Sequence, residues 1–500
     1  MKRIRILVYL LAMIALGSSA RAAIGEQVWV QRYNGPGNGS DNAFAIAVDT
    51  SGNVFVTGQS PGTSTYDFAT IKYSNAGVPL WTNRYEGPGN GDDVGHAIVV
   101  DSYGDVIVTG QSAGTNTTDD YATIKYSNAG TPLWTNRFDH AGGHDYATAV
   151  AVDTNDNVFV TGYFIGGGWA TIKYSGLGIP QWTNRYVGPV SGSHYVSGIA
   201  VGANGNVFVT GSSAGSGSGD DFATVAYSNS GVPLWTNRYN GPGNGDDTAN
   251  DIALDSNGNI FVTGGVTAGG LIEFATLKYS NAGLPLWTNR YRGQGTSTYG
   301  GAGEMVVDSN GNVFVTGASV GSGTYNDFAT IKYSNAGVAL WTNRYNRLYD
   351  DVPIALVLDA VGNLFVTGYT MADNLRFDRL TIGYSNAGIP LWTNSYNGPG
   401  NNDDSGNAIA VDGNGNVFVT GYSYGTGNHD YATIKYAGVQ PIPLAAQQVN
   451  NSLVLSWSNA TFRLQSAPTT TGTFTNIPSA TSPYTNAITA PPQYFRLKLN

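Results

Sequence analysis

The sequence predicts an all-β protein: an eight-bladed β-propeller of four-stranded blades, closed by its own N-terminal strand and followed by a small β-sandwich-like domain. Three observations predict it. A tryptophan recurs at Trp29, Trp81, Trp134, Trp182, Trp235, Trp287, Trp341 and Trp392, in steps of 48 to 54 residues. Every interval repeats one order of segments: a short aliphatic strand, an Asp-x-x-Gly-Asn turn, a VFVTG strand, an ATIKY strand and the next tryptophan. The composition is that of turns, with 68 glycines, and with 30 aspartates against only four glutamates, Glu26, Glu86, Glu273 and Glu304. Asp caps and bends the backbone while Gly accepts positive φ. A unit of this length made only of strands and turns cannot bury its own apolar faces, so the copies must pack in an array.

The elements follow in chain order. Lys2, Arg3 and Arg5 precede an apolar run from Ile6 to Leu16 and an Ala20-Arg21-Ala22 site, so residues 1–22 read as a secretory signal peptide. That run is too short for a membrane span, and no later stretch reaches the required ~20 apolar residues. The mature chain is therefore expected to be soluble and secreted, whether extracellular or periplasmic, and monomeric. Removing the signal leaves 20 basic against 34 acidic side chains, a balance of −14, which argues against nucleic acid as a partner. With no cysteine there are no disulfides, thiolate metal sites or Cys nucleophiles.

Residues 24–437 form the propeller, with strands in the first full repeat at Ala45–Val48, Val54–Thr57, Phe68–Tyr73 and Leu80–Tyr85. VFVTG and AIAVD are apolar on both faces, as strands sandwiched between neighbours should be. The Asp49-Thr50-Ser51-Gly52-Asn53 segment reads as a tight hairpin turn capped by its own Asp, with Gly52 left-handed. If AIAVD is innermost, the last repeat, ending at Ile434–Tyr436, lacks an outer strand, and Val28–Tyr33 supplies it, which removes the open sheet edges. After a linker at 438–450 marked by Pro441 and Pro443, residues 451–500 read as five short strands separated by Pro, Thr, Ser and Asn.

The units, for example Asp67-Phe68-Ala69-Thr70-Ile71-Lys72-Tyr73 running to Trp81 and the Ala45-Ile46-Ala47-Val48-Asp49 strand, resemble the bacterial SBBP β-propeller repeat family over about 410 of the 500 residues. The resemblance implies a propeller of a secreted or envelope-associated protein, commonly without an assigned activity; the family name implies seven blades where this chain counts eight. A weaker likeness to quinoprotein propellers rests on a Gly four residues before the Trp, as at Gly77 and Trp81. The quinone pocket of those enzymes usually carries a vicinal disulfide, which a chain without cysteine lacks. The C-terminal strands resemble a fibronectin-like or immunoglobulin-like end module, and such modules imply attachment, sorting or spacing.

Chemistry is expected where the repeats differ, on the face carrying the loops between blades and between the second and third strands. Its candidate binding residues are the paired aspartates Asp92 and Asp93, Asp119 and Asp120, Asp220 and Asp221, Asp246 and Asp247, Asp403 and Asp404, with Trp169 and Tyr349 among rim aromatics that include Tyr66, Tyr163, Tyr195, Tyr299, Tyr325, Tyr369 and Tyr424. No catalytic set is evident and no cofactor is expected. The paired-Asp loops read as solvated turns, with calcium as the alternative because paired Asp and loop carbonyls are hard oxygen ligands. His140 and His144 share a loop with Asp139 and Asp145 and form a weaker metal candidate. Asp67, Asp327 and Asp430 with Arg84, Arg344 and the Lys72-type lysines read as an internal charge ladder. Gly383 and Ser395 replace both cations in the seventh repeat, which suggests that those two positions interact across the hairpin or share a partner. The expected function is a scaffold binding an extracellular protein or polysaccharide on this face. The alternative is a polysaccharide hydrolase or lyase using its aspartates, and two apposed carboxylates would be its mark.

Overall fold

The computed structural model describes residues 23–438, 445–449, 452–457, 462–468, 473–487 and 494–499, apart from 90, 116–117, 296–299, 322–324, 348 and 373–374. The signal segment 1–22, Tyr299, Pro441 and Pro443 lie outside the described residues. Two compact units divide the chain at Gly438 and Val439.

The first unit is an eight-bladed propeller. Blade one orders its strands from the axis outward as Asn42–Val48, Val54–Pro61, Tyr66–Tyr73 and Pro79–Tyr85, all antiparallel, and blades two to seven repeat that order. Blade eight takes three strands from residues 404–436, and its outer strand, Gln27–Tyr33, comes from the other end of the chain and pairs with His429–Tyr436. Innermost strands pack against their neighbours around the ring, and the eighth packs against the first. Ring closure by strand exchange is thus the observed topology. The inner strands begin about three residues earlier than the pattern suggested because each carries a β-bulge; in blade one the register shifts between Ala43 and Ala45.

Burial follows from the apolar runs. Val54, Phe55 and Val56 are fully buried, and the core clusters draw on adjacent blades: Val56, Ile71 and Tyr73 of blade one pack with Phe418 and Tyr431 of blade eight. A single blade would leave these faces in water, so blade-to-blade burial is what stabilises the ring. The one hydroxyl in each VFVTG strand is buried too, and it bonds the facing threonine in all eight blades, as Thr57 does Thr70 at 3.1 Å.

The tryptophans form the seams on the tight-turn face. Trp81 lies between Phe55 of its own blade and Tyr126 of the next, and its indole N–H donates to the Asn128 carbonyl in the next blade's turn. Seven seams share this bond, from Trp29 to Asn75 through Trp341 to Asn386. The recurrent glycine serves the tryptophan of the preceding blade, not its own. Gly77, at φ +83°, lies so close under Trp29 that a Cβ there would stand 2.9 Å from the ring. Lysines reinforce these seams: the Lys72 ammonium donates to the carbonyl and side chain of Asn128 and sits over the Phe55 ring.

The eighth seam differs because the chain leaves the ring at Gly438 instead of turning into an outer strand. Trp392 Nε1 has no partner among the described residues, and Gly25 from the N-terminal segment takes the glycine position under the indole, its carbonyl accepting from Asn394. No Asn-bearing turn receives a lysine, and position 383 is glycine.

In the second unit, Ala445–Val449, Ser452–Ser456 and Tyr484–Ala487 form one three-stranded sheet, and Thr475–Asn476, Phe462–Ala467 and Tyr494–Leu499 form another. Leu455, Trp457 and Leu464 make its core. Ala445–Val449, in the stretch read as linker, is a strand because it pairs antiparallel with Ser452–Ser456.

Candidate functional site at the loop-rich face

The tight turns bind their own carboxylates. Asp49 Oδ1 accepts from the Ser51 and Asn53 N–H groups and Oδ2 from the Asn53 amide, with Gly52 left-handed at φ +77°. The opposite face carries the variation, and each member of an Asp pair does a different task. Asp93, Asp247 and Asp404 are fully buried, not in solvated loops, and each accepts the N–H of a loop glycine six residues earlier. Their exposed or half-buried partners Asp92, Asp246 and Asp403 reach back to the preceding blade and accept the N–H of Tyr66, Asp220 and Phe377. Burial and the Asp246 charge raise the pKa of Asp220.

Asp120 and Asp221 are buried partners of Arg137 and Arg238 at 2.7 and 2.9 Å. Blade one shows the full cluster: Arg84 holds Asp67, the Ser60 hydroxyl and carbonyl, and the Tyr33 hydroxyl of the blade before it. The charge ladder therefore separates into two sets at opposite ends of the strands, arginines on this face and lysines on the other.

Gly383 and Ser395 consequently do not interact across the hairpin: Gly383 faces Trp392 and Ser395 faces Leu380. Ser395 has its own cause. In blade one a Cβ on Gly35 would stand 2.0 Å from Ser60 Oγ and 3.1 Å from Arg84 Nη1, so only glycine fits beside the guanidinium. Blade seven has Arg347 at that place, donating its N–H to Asp351 as Gly35 does to Asp41, and the outer-strand arginine is reduced to serine. Arg379 takes the aromatic position of the third strand instead, fully buried and bonded to the Ser405, Ala432 and Tyr422 carbonyls of blade eight.

Blade three has lost the cluster altogether. His140 replaces the glycine, Phe164 the serine and Gly168 the aspartate, and Arg185 is exposed. Trp169, read as a rim aromatic, is 1% exposed and fills the buried third-strand aromatic position. The His144 ring pairs with Asp119 Oδ2 at 2.9 Å and stacks on Tyr146, and the His140 ring packs 4.1 Å from Phe164. Tyr349 stands 5.9 Å from Tyr325 on the rim between blades six and seven.

The mouth of the channel is built from the first residues of the inner strands and their partners on the second. Tyr146 opposite Tyr163 in blade three and Tyr195 in blade four form a tyrosine group with centroids 5.1 Å apart, Tyr195 being 46% exposed. The same layer in blades five and six is almost bare, with Thr248 opposite Gly265 and then Gly301. A cavity of about 470 Å³ opens there, lined by Asp246, Thr248, Asn250, Gly265, Thr267 and Ile272 with Gly270 and Gly300. One layer deeper, the bulged residues reach to the next blade: Thr148, Ser197, Asn250 and Asn407 donate to the carbonyls of Val196, Ala249, Ala302 and Ala43.

The position after the bulge is Ala or Gly in six blades, but it is Asp251 in blade five and Glu304 in blade six. Asp251 accepts the N–H groups of Ile252 and of Met305, the residue after Glu304, so the two carboxyl-bearing strands are stitched together. Burial pushes the Asp251 pKa up to about 7, and burial with the Asp251 charge raises Glu304 well above the usual carboxylate range. Neither residue stood among the sequence candidates. Their signal was present, as two acids at an inner-strand position that is otherwise small.

The SBBP β-propeller repeat model matches residues 28–64, 133–163, 234–264 and 392–427, so the chain carries repeats of this kind. Curated proteins yield no match. Among solved structures, Sqt1 from Chaetomium thermophilum is similar with 9% identity and a TM-score of 0.53 over 83% of this chain and 98% of its own. Sqt1 bound to the N-terminus of ribosomal protein L10 gives 9% identity and a TM-score of 0.52 over 83% of this chain and all of its own. A Dyadobacter fermentans protein of unknown function gives 12% identity and a TM-score of 0.40 over 83% and 99%. At 9% identity the likeness to Sqt1 is one of fold.

Proposed function

We propose that this SBBP-type β-propeller repeat protein is a secreted binding scaffold that holds an extracellular polysaccharide at the loop-rich mouth of its channel. The observation that carries the reading is the cavity between blades five and six, where small residues clear a space of about 470 Å³ and Thr248, Asn250 and Asp246 offer hydrogen-bonding groups. Beside it, the tyrosine group of Tyr146, Tyr163 and Tyr195 supplies ring faces on which sugars stack. A basic segment, an apolar run and small residues at the N-terminus support export. Among the described residues no helix is long and apolar enough to cross a membrane.

Retention on a polysaccharide panel tests this: wild type is expected to bind a member of the panel and Tyr195→Ala with Asn250→Ala to lose it, while equal retention of both would overturn it. One observation favours a second reading. Glu304 and Asp251 act on one another electrostatically, with burial raising the pKa of both, and two interacting carboxyl groups are what glycoside cleavage uses. New reducing ends on the retained polymer, absent with Glu304→Gln, would establish hydrolysis.

A further inference from the structure

We propose a divalent-cation site of the calcium class on the loop-rich face between blades two and three, held by Asp120, Asp139 and Asp145. One carboxylate oxygen from each of the three lies within 4.8 Å of the others, a spacing that a hard cation with oxygen ligands at about 2.4 Å can bridge. Asp120 and Asp145 are buried and Asp139 is exposed.

The second observation is Asp145 itself. It is fully buried, its Oδ2 accepts the His140 N–H, and its Oδ1, like that of Asp41, Asp93, Asp351 and Asp404, has no hydrogen-bond partner among the described residues. In blades one, two and eight the same carboxylate (Asp41, Asp93, Asp404) stands beside a serine hydroxyl, and that serine also receives an arginine: Ser60 with Arg84, Ser112 with Arg137, Ser423 with Arg32. Blade three has Phe164 in the serine position, and its Arg185 is exposed. A buried carboxylate has thus lost its hydroxyl neighbour, and two more carboxylates have gathered on it.

Neither neighbouring imidazole joins the three carboxylates, His144 being bonded to Asp119 and the His140 ring packed on Phe164, so the gathered donors are all oxygen and suit calcium over zinc. Asp120 keeps its Arg137 contact through Oδ2, and Asp139 Oδ1 accepts the Gly142 N–H, which fixes the loop.

The test is titration of the chelator-stripped full chain with calcium chloride alone, by calorimetry, with melting followed in parallel. One site is expected, with a calcium-dependent rise in melting temperature and at least a tenfold loss of affinity in Asp139→Asn and in Asp145→Asn. Asp92→Asn, an acid on the neighbouring loop outside the cluster, is expected to bind as wild type does. Because Asp145 is buried and its variant can fail to fold, the exposed Asp139→Asn is decisive. Absence of calcium binding in wild type, or undiminished affinity in a folded Asp139→Asn, would overturn the proposal.

Discussion

The two faces of the ring are built to different rules. On the tight-turn face seven of eight seams use one device, an indole N–H to a turn carbonyl over a glycine, and the eighth imitates it with Gly25. On the loop-rich face the arginine cluster is complete in blades one, two, four, six and eight. It is loosened in blade five, where Arg290 meets Glu273 at 3.4 Å, and dismantled in blades three and seven. Because nearest-neighbour contacts sum round a repeat array, holding the seams on one face leaves the other free to diverge. The cavity, the tyrosine group and both unusual carboxylate clusters lie on the divergent side of the molecule or in the channel that opens from it.

That contrast can be broken at several points. Deleting Glu26 to Tyr33 strips the outer strand from blade eight and opens the ring; loss of a cooperative melt and concentration-dependent aggregation in size-exclusion chromatography are expected, and an unchanged monomeric profile would deny closure its role. Next in size, Trp81→Ala is expected to cost about 3 kcal/mol in chemical denaturation. Trp81→Phe should cost about 1 kcal/mol more than Trp392→Phe, because only Trp81 makes the indole bond.

On the other face Arg84→Ala should cost about 2 kcal/mol by stranding the buried Asp67, whereas Arg185→Ala should change stability by less than about 0.5 kcal/mol. The last effect depends on pH. Folding raises the pKa values of Asp251, to about 7, and of Glu304, so as pH rises from the ordinary carboxylate range through 7 the unfolded chain sheds these protons first and stability falls. Glu304→Gln should therefore stabilise the protein above pH 7 and leave it unchanged near pH 4, read from urea midpoints across pH.

What the sequence made legible is what repeats along it. The tryptophan interval, the four strands and the missing outer strand of the last unit can be read by lining up copies, because each is a property of one unit. Contacts between units were misread for the same reason. Gly77 was paired with its own Trp81, since they are four residues apart, yet it lies under Trp29 of the preceding blade. Lysines and arginines were merged into one ladder, although strand direction sends them to opposite faces. Trp169 was read among the rim aromatics of the variable face, but register places it in the buried aromatic position. Asp251 and Glu304 escaped notice because only the bulge and the curvature of the ring bring two separate repeats together.

The division between faces is tested most directly by binding of the retained polysaccharide to three proteins: wild type, Tyr195→Ala with Asn250→Ala at the mouth, and Tyr103→Ala on the tight-turn face, where Tyr103 is 77% exposed. Loss of binding confined to the mouth variant is expected. Equal loss in the Tyr103 variant, or full binding by the mouth variant, would contradict it.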